Sequence, residues 1–127
     1  MDERSTGIAA AHRTEDSEPV RKERTGMKKI KLGKTNLIVP EIGFGGIPIQ
    51  TPPEEAAVRL VRESLDLGIT FIDTSRMYTC SEERIGKAIA GRRDQVVLAT
   101  KSASRTGDKV QEDLAQSLKN LGTDYVD

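Results

Sequence analysis

An acid, a phenol and a cation follow two apolar segments of the sequence and could together perform acid–base chemistry. Asp73 closes the apolar run at 71–72, Tyr78 follows five positions later, and Lys101 comes directly after the run at 96–100. Such runs are typical of buried parallel strands, whose carboxyl ends gather the reactive groups of α/β proteins. If the two strands are neighbours about 4.8 Å apart, the three side chains meet at one rim.

The three residue types suit proton transfer to a substrate. A free tyrosine titrates at about pH 10, so a phenol needs a nearby cation to act as an acid at neutral pH. Lys101 would supply that charge to Tyr78, and Asp73 would hold the lysine ammonium group. Taken singly, such a residue at a strand end is more often an ordinary loop residue or a solvated charge than a catalyst. Their shared place at matching strand ends is what favours a site.

Length and composition predict one domain and exclude several functions. The chain has 127 residues, enough for a single core, and its 20 basic and 20 acidic side chains cancel. This balance gives no electrostatic indication of nucleic-acid or membrane binding. One cysteine, Cys80, excludes an intrachain disulfide and an all-cysteine metal site. We therefore predict a cytoplasmic protein without a metal site.

The first 26 residues differ from the rest of the chain. They mix charges of both signs and contain only one short apolar cluster, so we predict a disordered leader at 1–26 and a folded domain at 27–127. Met27 opens the patterned part of the sequence. We therefore hypothesise that translation can also start at Met27 and that the leader is dispensable.

A repeated strand and helix unit organises the rest of the chain. Residues 28–32 and 37–39 predict a β-hairpin, and Phe44, Ile72, Leu98 and Tyr125 then mark strands at separations of 28, 26 and 27 residues. This interval predicts a parallel sheet with right-handed crossovers, either doubly wound or coiled into a (β/α)₈ barrel. Because a whole barrel takes about 250 residues, the chain would hold roughly its first half.

Amphipathic patterns place a helix after each of the first three parallel strands. Thr51 and Ser81 stand where side-chain N-caps of the first and second helices are expected. Glu83 and Lys87 have the i,i+4 spacing of a favourable ion pair on the second helix. The third helix is predicted to begin at about Asp108.

Three stretches resemble signatures of the aldo-keto reductases in the expected order. They are KLGKTNLIVPEIGFGG at 31–46, GITFIDTSRMY at 68–78 and SLKNLGTDYVD at 117–127. The resemblance runs from about residue 27 to residue 127. It implies an α/β fold that is the N-terminal half of a (β/α)₈ TIM barrel preceded by a β-hairpin. It also implies reduction of small aldehydes or ketones with NADPH, or less often NADH, and without a metal in the hydride-transfer step.

The resemblance assigns catalytic roles to Asp73, Tyr78 and Lys101, which fall on three members of the family's catalytic tetrad. The fourth member is a histidine just after the fourth strand, and the chain ends before that position. Its one histidine, His12, lies in the leader and does not match. We therefore expect a truncated chain that is inactive alone.

The resemblance also assigns early cofactor contacts to Gly45, Gly46, Ile47 and Asp73. The family's other cofactor-binding loops follow later strands, which the chain does not include. No cysteine cluster accompanies these positions, so we assign no iron–sulfur cluster.

Two other functions remain open at this stage. One is a non-enzymatic half-barrel whose exposed strand edges associate with a second copy or with a separately encoded C-terminal half. The other is an unrelated βα domain that binds a phosphate-bearing ligand. The absence of a glycine-rich phosphate loop at the start of a helix argues against this last reading.

Overall fold

A computed structural model describes residues 26–127 of the chain. The predicted leader lies outside the described residues, apart from Gly26, and its disorder stays a prediction. The strands are β1 Lys29–Lys31, β2 Ile38–Pro40, β3 Phe44–Gly45, β4 Phe71–Asp73 and β5 Val97–Ala99. The helices are α1 Glu54–Asp66, α2 Ser81–Ile89 and α3 Gly107–Leu121, with short 3₁₀ turns at Pro48–Gln50 and Arg93–Gln95.

The predicted hairpin is present at the start of the described chain. β1 and β2 pair antiparallel, with Ile30 opposite Val39. The Leu32 amide donates to the Leu37 carbonyl at 2.9 Å, and the Thr35 side chain donates to the Leu32 carbonyl. These hydrogen bonds close the turn between the two strands.

The parallel sheet follows the predicted repeat at three positions. Its order is β3-β4-β5, with Phe44 paired to Ile72 and Ile72 paired to Leu98. The fourth position is different, because residues 124–127 form no strand. The Asp127 amide does donate to the Leu98 carbonyl at 3.0 Å, so this segment begins to extend the sheet beside β5.

The core lies between the sheet and the helices. Helices α1 and α2 pack against each other, as do α2 and α3. Burial of each large aliphatic side chain contributes about 1.5–3 kcal/mol before entropy is subtracted. The most deeply buried aliphatic residues are Ile49, Val61, Ile72, Ile85, Ile89, Leu98 and Leu121.

The start of α1 differs from the prediction, and one predicted ion pair is replaced. Helix α1 begins at Glu54 with Pro53 before it, and no side chain caps it, so the expected Thr51 cap is wrong. Lys87 bonds Glu54 on α1 at 2.6 Å instead of pairing with Glu83 on its own helix. This hydrogen bond and the charge of Lys87 lower the pKa of Glu54 below its ordinary value. A tertiary contact has replaced the local one.

The predicted Ser81 cap is also wrong, because Ser81 is the first helical residue and no side chain caps α2. Its hydroxyl donates to the Gly46 carbonyl at 2.9 Å and is left to accept from Thr74 at 2.9 Å. Ser81 therefore links α2 to the ends of β3 and β4 rather than to its own helix.

The third helix begins within one residue of the predicted start and ends at Leu121, followed by the C-cap Gly122, whose φ of 64° is left-handed. Its apolar stripe is only partly covered, since Leu121 is buried while Val110 and Leu114 are exposed. Within residues 26–127, no helix is both long enough and apolar enough to cross a bilayer.

Candidate active site

The carboxyl ends of the three parallel strands form one rim. Gly45 at the end of β3 pairs with Asp73 at the end of β4, and Asp73 pairs with Ala99 at the end of β5. Lys101 follows Ala99 by two residues. The register therefore brings together the acid and the cation that the sequence had placed at matching strand ends.

The Lys101 ammonium group is fully bonded by protein acceptors. Its Nζ donates to Asp73 Oδ1 at 2.7 Å, to Asp73 Oδ2 at 2.8 Å and to the Thr74 carbonyl at 2.7 Å. An ammonium group has three donors, so these three acceptors fix its orientation. Both side chains are 49% exposed, and such a pair adds only about 0–1 kcal/mol to stability. The ion pair therefore fixes the position of the ammonium group rather than adding much to stability.

Tyr78 lies next to this ion pair in a half-buried position. The Lys101 Nζ is 5.7 Å from the centroid of the Tyr78 ring, within the range of a cation–π contact. The Tyr78 amide donates to the Ser75 carbonyl at 3.0 Å. Thr79, the next residue, has a φ of 22°, which is rare for a β-branched residue. The ring thus stands at a sharply bent, bonded turn.

Backbone bonds tie the Tyr78 loop to the residue that carries the cation. The Arg76 amide donates to the Lys101 carbonyl at 2.9 Å, and the Ser75 hydroxyl donates to the same carbonyl at 3.3 Å. Two hydrogen bonds therefore join the loop after β4 to the loop after β5.

The predicted cofactor residues fall into two groups. Gly45 and Ile47 are exposed on the rim, and a Cβ added at Gly45 would meet nothing within 4 Å. Gly46 is buried beneath them, with its amide donating to the Asp73 carbonyl at 2.8 Å. A Cβ at Gly46 would lie 2.5 Å from Ser81 Oγ. Gly45 can thus admit a close flat group, whereas both backbone polar groups of Gly46 are used within the protein.

Sequence reasoning missed the residues that anchor the loop after Lys101. Ser102 and Ser104 both donate to the carboxylate of Asp113 on α3, the latter at 2.7 Å. The hydrogen bond from Ser102 and then that from Ser104 lower the pKa of Asp113 below its ordinary value. The Ser-x-Ser spacing was visible in the sequence, but the partner helix was not.

No metal site is formed by the part of the chain that the structure describes. Residues 26–127 contain no group of three or more histidine, cysteine, aspartate or glutamate side chains that could hold an ion. Cys80 is a free, partly buried thiol.

Comparison with known proteins agrees with this architecture. The profile of the Aldo/keto reductase family matches residues 41–127. The uncharacterized oxidoreductase YqkF of Bacillus subtilis is 34% identical over 80% of this chain and 37% of its own length. The aldo-keto reductase yakc of Schizosaccharomyces pombe, whose name includes NADP(+), is 38% identical over 76% of this chain and 34% of its own length.

Solved structures give the same result for the fold. The holo form of aldo-keto reductase AKR11C1 from Bacillus halodurans is 36% identical with a TM-score of 0.71, covering 80% of this chain and 38% of that one. The chain spans little more than a third of these relatives' length. The predicted α/β class, the N-terminal half of a (β/α)₈ barrel preceded by a hairpin, is confirmed. Its sequence and its fold therefore place the chain in the aldo-keto reductase family of oxidoreductases.

Proposed function

We propose that this chain supplies the first part of the active site of an NADPH-dependent reductase of small aldehydes or ketones. The observation that carries the proposal is the position of the Lys101 ammonium group. It is held by both oxygens of Asp73 and lies 5.7 Å from the centre of the Tyr78 ring. An acid, a cation and a phenol thus stand together at one rim.

Each of the three residues would have a separate task. Tyr78 would donate its hydroxyl proton to the carbonyl oxygen as negative charge develops there. Lys101 would stabilise the phenolate that remains. Because its three donors are already bonded to Asp73 and Thr74, Lys101 would act on Tyr78 through its charge. Asp73 would keep that charge in place.

The exposed rim fits the nicotinamide cofactor that the family implies. Gly45 leaves open space for a flat ring to approach, and Ile47 and Asp73 border the same edge. When bound, the cofactor would supply the hydride. We propose NADPH because NADP(+) is part of the name of the S. pombe relative, with NADH as the alternative. Gly46 would contribute through shape alone, because its backbone groups are bonded within the protein.

The chain alone would be inactive, because the tetrad histidine and most of the family's cofactor loops lie outside it. A test needs the rest of a barrel. We define the completed barrel as residues 26–127 fused to the part of the B. halodurans reductase that follows the matched segment. We expect it to oxidise NADPH in the presence of aldehydes, whereas the 127-residue chain does not. A folded completed barrel without turnover on a broad aldehyde and ketone panel would contradict the proposal.

A second function is favoured by one surface. Val110 and Leu114 on α3 are 41% and 38% exposed, so part of an apolar helix stripe is uncovered among the described residues. A non-enzymatic half-barrel would use this face to associate with another copy or with a C-terminal complement. Light scattering of the 127-residue chain separates the readings, because a stable monomer at high concentration would leave association without support.

The remaining proposals concern location and partners. We propose a cytoplasmic enzyme whose partner is a small carbonyl compound, without a nucleic acid or a membrane. The balance of 20 basic and 20 acidic side chains supports the absence of a nucleic-acid or membrane partner.

A further inference from the structure

Glu82 is a buried carboxylate that the proposed chemistry does not use. It lies in the first turn of α2 and is 1% exposed. Moving a carboxylate out of water costs several kcal/mol unless partners compensate. A chain that keeps such a group in its interior must bond it well.

Three separate segments donate to this carboxylate. The Thr100 hydroxyl donates to Oε1 at 2.8 Å, and the Asn120 amide on α3 donates to Oε2 at 3.0 Å. Arg76 in the loop after β4 adds an ion pair to Oε2 at 3.4 Å. The helix N-terminus also favours a negative charge at this position. Glu82 therefore joins α2, α3 and the two loops that leave the sheet.

Two of these partners are next to the residues of the rim. Thr100 directly precedes Lys101, and Arg76 lies between Asp73 and Tyr78. The Arg76 amide also donates to the Lys101 carbonyl at 2.9 Å. Glu82 thus contacts one residue of each loop, and the bond from the Arg76 amide to the Lys101 carbonyl joins the two loops directly.

We propose that Glu82 is a positioning residue, which fixes the separation of Lys101 and Tyr78 through Thr100 and Arg76. It touches neither substrate nor cofactor in this role. The inference rests on the proposed function, since a fixed separation matters only if the two groups share a proton-transfer task.

The first test needs no enzyme activity. Hydrogen exchange at the Arg76 amide in the 127-residue chain reports whether the two loops stay together. Thr100→Val removes one hydroxyl donor, and we expect about tenfold faster exchange at Arg76. Thr100→Ser keeps the hydroxyl and should restore slow exchange. The control is Thr70→Val, the same change directly before β4 and therefore at the other edge of the parallel sheet from Thr100, with the Leu32 amide as an internal reference.

A second variant tests whether faster exchange at Arg76 is specific to the change at Thr100. In Glu82→Gln, an amide NH₂ group replaces one carboxylate oxygen. If it replaces Oε2, the bonds from Arg76 and Asn120 are lost. If it replaces Oε1, the bond from Thr100 is lost. Exchange at Arg76 should again accelerate by about tenfold. Unchanged exchange at Arg76 in both Thr100→Val and Glu82→Gln would overturn the proposal. So would equal acceleration at Arg76 and Leu32, which would mean loss of the whole fold.

Kinetics of the completed barrel distinguish a positioning role of Glu82 from a purely structural one. Thr100→Val should lower kcat about tenfold with an unchanged KM for NADPH, and Thr100→Ser should recover kcat. An unchanged kcat beside faster exchange at Arg76 would overturn the positioning role. If the parent completed barrel has no turnover, the proposed function fails, whereas the exchange experiment still decides whether Glu82 couples the loops.

Discussion

Two adjacent layers at the carboxyl end of the sheet differ sharply in exposure. The open rim consists of Gly45, Ile47, Asp73 and Lys101, none of which is buried. The closed layer lies beneath it and consists of Gly46, Thr74, Ser81 and Glu82, all buried. Residues that are adjacent in sequence lie in different layers. Gly45 is exposed whereas Gly46 is buried, and Asp73 is partly exposed whereas Thr74 is buried.

The polar contacts of the two layers have different consequences. The Asp73–Lys101 pair is half-exposed and adds little stability, so its geometry is available for chemistry. In the closed layer, the Ser81 hydroxyl bonds Gly46 and Thr74, and Glu82 bonds three segments. Buried polar groups are costly unless they are paired, and the pairing is what makes the layer rigid.

The largest expected effect is on catalysis at the open rim. Lys101→Met in the completed barrel should lower kcat by about 10²–10⁴-fold, because the proton donor loses its cation. Steady-state assays with NADPH measure this, and Lys119→Met on exposed α3 is the control. Adding Tyr78→Phe should lower kcat little further, since residues that share one proton transfer are not additive. Full additivity would mean that the two residues work separately.

The next effect concerns stability in the closed layer. Glu82→Ala leaves the Thr100 hydroxyl and the Asn120 amide without their acceptor, so the free energy of unfolding should fall by about 2–4 kcal/mol. Glu83→Ala changes an exposed neighbour in the same turn and should cost about 0.5 kcal/mol or less. Urea unfolding of the two variants measures the contrast. Equal losses would show that Glu82 is no better bonded than a surface acid.

The two adjacent glycines sharpen the comparison further. A Cβ at Gly46 meets Ser81 Oγ at 2.5 Å and Thr74 Oγ1 at 2.8 Å, so Gly46→Ala should cost about 1–3 kcal/mol of stability. Gly45→Ala should leave the Tm unchanged but raise the KM for NADPH in the completed barrel. Thermal melts and cofactor titrations read the two effects separately. A destabilising Gly45→Ala with normal cofactor binding would contradict the division into layers.

The smallest expected effect is the pH dependence of stability that Asp113 contributes. Hydrogen bonds from Ser102 and Ser104 lower the pKa of Asp113, so its carboxylate stabilises the folded chain above the ordinary carboxyl range. This contribution is lost as the pH falls through the lowered pKa. Asp113→Asn should therefore lower the Tm at neutral pH and have less effect in acid, once the pH has fallen through the lowered pKa. The exposed Asp124→Asn is the control, and an Asp113→Asn penalty that grows in acid would contradict the sign.

The strand repeat was predictable because it depends on pattern and spacing. Phe44, Ile72 and Leu98 are apolar, bounded by turn residues and evenly spaced, and the structure aligns them in register. Tyr125 had the same pattern but is not in a strand, although the nearby Asp127 amide already bonds Leu98. A single backbone bond does not make a strand.

The bonds of the closed layer were not predictable, because they depend on partners far away in sequence. Ser81 looked like a helix cap, but its hydroxyl bonds Gly46, 35 positions earlier. Glu82 lies in the first turn of α2, where an acid suits the helix N-terminus, but its donors include Asn120, 38 positions later. Local rules name the residue type that suits a position, whereas tertiary contacts decide which of its bonds form.

The division of labour between the two layers is tested most directly by measuring kcat and Tm together in the completed barrel. Tyr78→Phe removes only the phenol oxygen and keeps the ring, and Tyr125→Phe makes the same change at the other tyrosine of the chain. We predict that Tyr78→Phe lowers kcat by about 10²–10⁴-fold at an unchanged Tm, and that Tyr125→Phe leaves kcat unchanged. A Tyr78→Phe enzyme with near-parental kcat would contradict the assignment of the phenol as the acid.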